Sequence, residues 1–144
     1  MRYQTLKNHQ QEEWNAFPFG VAFNSAQYVE MMQKWELDPE QDKKKIASIG
    51  YGLYIRKRDL IALKKMSNKH HKELENAIKK DTDGTGFIKD MFLTELINYE
   101  CGYTGDPEPA LSALGLNADR INENSNLLNG FKAAWKEVLN SDPI

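Results

Sequence analysis

Apolar residues recur at spacings of three and four along most of this chain, the period of a helix with one face buried. Between Leu60 and Lys80 the residues Leu60, Leu63, Ser67, His70, Leu74 and Ala77 fall on one face, flanked by Ile61, Met66 and Ile78. The remaining faces are mostly Lys and polar. This predicts a long amphipathic helix with Asp59 as its cap. From Phe87 to Glu100 the apolar stripe broadens to Phe87, Ile88, Met91, Phe92, Leu96 and Tyr99, widened by Leu93 and Ile97, which predicts a deeply buried helix. Leu127, Leu128, Phe131, Ala134, Trp135, Val138 and Leu139 predict a last helix capped by Ser125 or Asn126. Tyr28, Met31, Met32 and Trp35 predict another, opened by Asn24 or Ser25. A first helix is expected over Tyr3 to Trp14, where Leu6 and Trp14 are the apolar positions among good helix formers.

Between these helices the pattern changes. Phe17-Pro18-Phe19-Gly20 breaks the first helix, and Phe19 to Phe23 reads as a short strand. Leu37 to Lys45 is polar, contains Pro39 and reads as a loop. Ile46 to Ile49 and Leu53 to Arg56 read as two strands about Gly50-Tyr51-Gly52, a hairpin or a bulged ribbon. Cys101 to Gly105 is expected to close the buried helix. Asp106 and Pro107 open a short helix to Leu114, and Asn117 opens another to about Asn122. There is no internal repeat, and no linker is long enough to separate domains. The expectation is one domain over residues 1–144, of the α+β class: five or six helices packed on a small antiparallel sheet of about three strands.

Composition narrows this. With 40% hydrophobic and 10% aromatic residues in 144, the chain has enough apolar surface for a real core. No apolar run approaches the roughly 20 residues that span a bilayer, and no signal-peptide core is evident, so a cytoplasmic protein without membrane contact is expected. Cys101 is the sole cysteine, which excludes an internal disulfide. Its expected place at a helix C-terminus disfavours a reactive thiolate. The net charge of −2 argues against wholesale nucleic-acid binding. That charge is uneven, however: residues 56–80 hold nine Lys or Arg against three Asp or Glu.

The stretch from Asp81 to Glu95 carries the nearest approach to a chemical motif. Asp81, Asp83 and Thr85 occupy the first, third and fifth positions of a helix–loop–helix calcium loop, with Gly86 sixth and Phe87 seventh. The twelfth position, which should supply a bidentate Glu, is Phe92. Glu95 lies almost a helical turn further on. The preferred reading is a structural turn in which Asp83 or Thr85 caps the next helix, with no cofactor; weak calcium binding at Asp81, Asp83 and Thr85 is the alternative.

Other candidates are weaker. His70 and His71 point about 100° apart on a helix, a poor ligand pair. Asp90, Glu95, Glu100, Asp106 and Glu108 form an acidic run without the fixed geometry that general acid–base catalysis needs. Ala110 to Ile121 has the look of a helix-turn-helix corner, but offers only Arg120 and Asn122 to a base edge. The basic zone gives a nucleic-acid alternative through Arg56, Lys57, Arg58, Lys64 and Lys65, although no aromatic interleaving accompanies it in sequence. Phosphate-binding loops, nucleophile elbows and dinucleotide fingerprints are absent, so no catalytic residue is assigned.

Several stretches together carry a resemblance: Gln11 to Pro18, Ser48-Ile49-Gly50 with Ile55-Arg56-Lys57, Gly86 to Phe92 with Glu95-Leu96, Tyr103 to Asp106, and Ala113 to Leu116. They resemble a family of small uncharacterised proteins of bacteriophages and prophages in gut anaerobes. The resemblance covers most of the chain and implies a phage or prophage setting in the cytoplasm, with no functional residues to carry over. In that family the pair Asp81 and Asp83 is not part of the pattern. The resulting expectation is a non-enzymatic accessory protein that binds another protein, with the nucleic-acid module as the runner-up.

Overall fold

In the computed structural model, which describes residues 2–141, the elements run α1 (Tyr3–Ala16), β1 (Gly20–Val21), α2 (Ser25–Lys34), β2 (Ile46–Gly50), β3 (Leu53–Arg56), α3 (Leu60–Lys80), α4 (Phe87–Asn98), α5 (Cys101–Thr104), α6 (Glu108–Ala113), α7 (Ala118–Glu123) and α8 (Ser125–Ser141). Short 3-10 turns precede β2 at Lys43–Lys45 and α3 at Lys57–Asp59. The class is α+β, with three strands as expected and eight helices among the described residues instead of five or six. One of the added helices has a local cause. Glu100 stands in the left-handed region at φ 53°, which ends α4 and lets a separate turn begin at Cys101. Cys101 therefore opens α5 rather than closing its predecessor, and it is fully buried.

Two compact units divide the chain, Glu12–His70 and Met1–Gln11 with His71–Ile144, and the division falls inside α1 and inside α3. Each is described by itself.

The unit of Glu12–His70 holds the sheet, in the order β1-β3-β2 with both pairings antiparallel. β1 is shorter than the sequence suggests: at its start the Phe19 ring packs, tilted, against Trp14 and Phe17, at 4.9 and 5.0 Å between ring centroids, and the strand ends at Val21. The hairpin carries the expected irregularity: pairing slips between Ser48 and Gly50, leaving Ile49 as the bulged residue. Its tip residues Tyr51 and Gly52 both have positive φ, 55° and 76°, as a tight two-residue turn of the right twist requires. α2 packs on this sheet through Met31 and Met32, which join Ala22 and Ile46 in a small core edged by Tyr28, Trp35, Leu37 and Tyr54. The N-terminus of α2 is capped as predicted: Asn24 Oδ1 accepts from Gln27 N at 2.8 Å.

Among the described residues, the unit of Met1–Gln11 and His71–Ile144 has helices as its regular elements. α4 lies against α8, and Ile88, Met91, Phe92 and Leu96 are fully buried with Ala134 and Val138 in a core shared with α5, α6 and α7. Phe92 meets Phe131 edge-on at 5.3 Å between centroids. Truncating a ring so buried costs about 3–5 kcal/mol. Gly84 and Gly130 bring the chain before α4 flush against α8: a side chain at Gly84 would run into the backbone oxygen of Asn126, and one at Gly130 into Ile88 and the oxygen of Gly84.

Two expectations about α3 change in detail. Ser67 is exposed and Met66 takes its place among the half-buried positions. Asp59 ends the 3-10 turn, and its carboxylate is engaged by Arg56 Nε at 2.9 Å instead of capping the helix.

Candidate functional site

In the calcium-like loop the Asp81 carboxylate caps the start of α4. Asp81 Oδ1 accepts from Gly84 N at 3.0 Å, while Oδ2 accepts from Gly86 N at 3.1 Å and Ile88 N at 2.9 Å. One carboxylate thereby satisfies donors that the start of α4 leaves without helical partners. The cap residue is Asp81, not Asp83 or Thr85. Asp83 Oδ1 accepts from the hydroxyl and the N–H of Thr85, at 2.7 and 2.9 Å, and these bonds, the hydroxyl's foremost, hold its carboxyl below the usual range. Phe92 is buried in the core, and Glu95 is turned to other partners.

Those partners are Tyr3 Oη at 3.1 Å, Lys7 Nζ at 2.8 Å and Asn98 Nδ2 at 2.8 Å. Within its unit this carboxylate, 4% exposed, fastens the first turns of α1 to α4. Asp90 adds a second fastening, accepting from Tyr3 N at 2.9 Å. Of the rest of the acidic run, Asp106 accepts from Glu108 N at 3.0 Å, the signature of a helix start, and Glu100 is exposed. His71 is exposed and lies 3.0 Å from Glu75, a carboxylate that Arg120 also approaches, at 3.7 Å. His70 is largely buried, 3.6 Å from Glu13. The short helices α6 and α7 bury Leu111 and Ile121, which makes their corner a core element.

The basic residues behave differently. Pairing of β2 with β3 places Ile46 opposite Arg56. In an antiparallel ladder the residues before one partner then lie beside those after the other. Lys44 and Lys45 are so brought to Lys57 and Arg58, and together with Arg56 they line one cavity of about 460 Å3, whose apolar wall is Trp35 and Leu37. The Arg56 guanidinium carbon sits 5.5 Å from the centroid of the Trp35 ring, within cation–π range. With Nε held by Asp59, its plane is fixed.

Charge in this cavity is not balanced. Lys45 pairs with Asp42 at 3.1 Å, and the Asp42 carboxyl is held below its usual range, first by the backbone N–H of Asp38 and then by Lys45. Asp59 serves Arg56 and stands 3.9 Å from Arg58. Among the described residues Lys44 and Lys57 have no carboxylate partner. Of the sequence-derived basic candidates, Arg56, Lys57 and Arg58 line the cavity, whereas Lys64 and Lys65 lie exposed on α3 outside its lining. Sequence reasoning missed Lys44, Lys45 and Trp35. The aromatic that the basic zone lacks in sequence comes from α2's C-terminal end, twenty-odd positions away in the chain.

A third feature is apolar. Phe23 and Tyr51 are 72% and 97% exposed, and the Phe23 ring lies against Gly52 beside the hairpin tip. Among the described residues no helix is long and apolar enough to cross a membrane.

Residues 2–137 match the profile of a family of unknown function, DUF7659, and the chain belongs to that family. No curated protein and no solved structure matches it.

Proposed function

We propose that this member of the DUF7659 family is a non-enzymatic, cytoplasmic binding protein that associates with nucleic acid through the cavity of Lys44, Lys45, Arg56, Lys57 and Arg58. The single observation behind this reading is five cations converging from two chain segments on one cavity that, among the described residues, Asp42 and Asp59 alone offset. Such a surplus is an electrostatic footprint for phosphates, and it works locally even on a chain of net charge −2. The resemblance to phage and prophage proteins supports an accessory role in a bacterial host.

The test is binding to a labelled oligonucleotide across a salt series. Affinity at low salt, falling with a log–log slope of roughly −3 as about three to four phosphates displace counterions, supports it. The charge reversal Lys57→Glu with Arg58→Glu should abolish binding. No affinity at low salt removes the reading.

Protein–protein binding is the second reading, favoured by the bare aromatic side chains of Phe23 and Tyr51. A host protein held by the wild type and released by Phe23→Ser with Tyr51→Ser supports it. Equal retention by both removes it.

A further inference from the structure

We infer that the cationic cavity takes an unpaired nucleotide, so that this protein binds single-stranded nucleic acid in preference to duplex; the inference rests on the nucleic-acid reading above. Its basis is the combination of walls. A site that met only the phosphates of a duplex needs cations at the surface and no concavity. Here the cations surround a hollow of about 460 Å3 whose remaining wall is Trp35 and Leu37. That size falls within the about 300–1,000 Å3 of sites that enclose small organic ligands. An anionic group joined to a flat apolar body fits both the cations and the apolar wall, and a nucleotide is such a ligand. In a duplex the base is stacked and paired and its phosphate stays outside; in a single strand the base is free to enter and stack on an aromatic or guanidinium plane.

Individual residues divide the work. Arg56, held by Asp59 and lying over Trp35, is a planar cation with fixed orientation. It suits stacking better than the adaptable Lys side chains do. Lys44 and Lys57, without carboxylate partners among the described residues and exposed, suit the phosphates at the rim. Lys45 and Arg58 add charge from the outer positions, being 66% and 72% exposed in their side chains.

The experiment uses the full chain and three probes: a labelled oligothymidylate, a mixed-sequence duplex of the same length, and free thymidine monophosphate. The expected result is at least about tenfold tighter binding of the single strand than of the duplex, with quenching of tryptophan emission by the single strand. Lys44→Ala with Lys57→Ala should weaken single-strand binding by about tenfold or more with unchanged thermal melting, since both side chains are exposed. Equal affinity for strand and duplex overturns the inference and leaves the nucleic-acid reading standing. Full single-strand affinity in the double variant overturns the assignment to this cavity. Monophosphate binding as tight as the strand overturns the strand as ligand. Absence of binding to all three at low salt removes the underlying reading as well.

Discussion

Lys7 Nζ lies 2.8 Å from Glu95 Oε1, and the two ends of this ion pair see different surroundings: the Lys7 side chain is 38% exposed and that of Glu95 only 5%. The buried end therefore depends on its donors. Lys7→Met leaves the carboxylate with Tyr3 and Asn98 alone and should cost about 1–3 kcal/mol in urea denaturation. Lys7→Met with Glu95→Gln should cost less than the sum of the two single changes, by about 1 kcal/mol. Additive losses would mean that the pair is not coupled.

Tyr3 shares the same carboxylate. Burial first, and then the charge of Glu95, pushes its phenol above the ordinary tyrosine range. A raised value in the folded state means that the folded chain keeps a proton which the unfolded chain gives up at about pH 10. The stabilisation is whole below that pH and is lost as pH climbs toward the folded value. Wild-type melting temperature should thus fall more steeply above about pH 10 than that of Tyr3→Phe. Parallel curves would contradict the assignment.

The cap at Asp81 should be the most sensitive carboxylate of its loop, because both oxygens accept backbone N–H groups. Asp81→Ala is expected to cost about 2 kcal/mol in equilibrium unfolding. Asp83→Ala, at an exposed residue bonded chiefly to Thr85, should move the unfolding midpoint far less. The reverse order would mean that Asp83 carries the turn.

Tyr51 holds the left-handed conformation at the hairpin tip, at φ 55°, with its ring in solvent. A non-glycine residue there stores about 1 kcal/mol or more of strain, and Asn is far better tolerated. Tyr51→Asn should raise the melting temperature, with a gain of about 0.5–1 kcal/mol. A lower temperature would show that the ring has contacts that outweigh the strain.

Much of this architecture is legible where periodicity is strong. α3 runs over Leu60–Lys80 as read, and α8 buries or half-buries the apolar positions found in sequence except Leu139, which is exposed. The end of α4 is not legible, because nothing in Asn98-Tyr99-Glu100-Cys101 announces a left-handed Glu100. The cap at Asp81 escapes a local reading for a related reason: the carboxylate reaches seven residues ahead to Ile88 N, beyond the usual capping distance. The charge of Arg56, Lys57 and Arg58 is visible, but the cavity they share with Lys44, Lys45 and Trp35 is a product of strand register. Register is a long-range property that local patterns do not encode.

Two backbones in touch leave no room for a single methyl group, and this limits what substitutions the protein can accept. At Gly84 the φ of 85° disfavours a side chain and the Asn126 oxygen excludes one, and at Gly130 the obstacle is Ile88. A saturation library selected for folded protein should return glycine alone at both. Gly105, equally left-handed but with open space around it, should accept asparagine. The joint before α4 is thus far less mutable than the exposed faces of the helices around it.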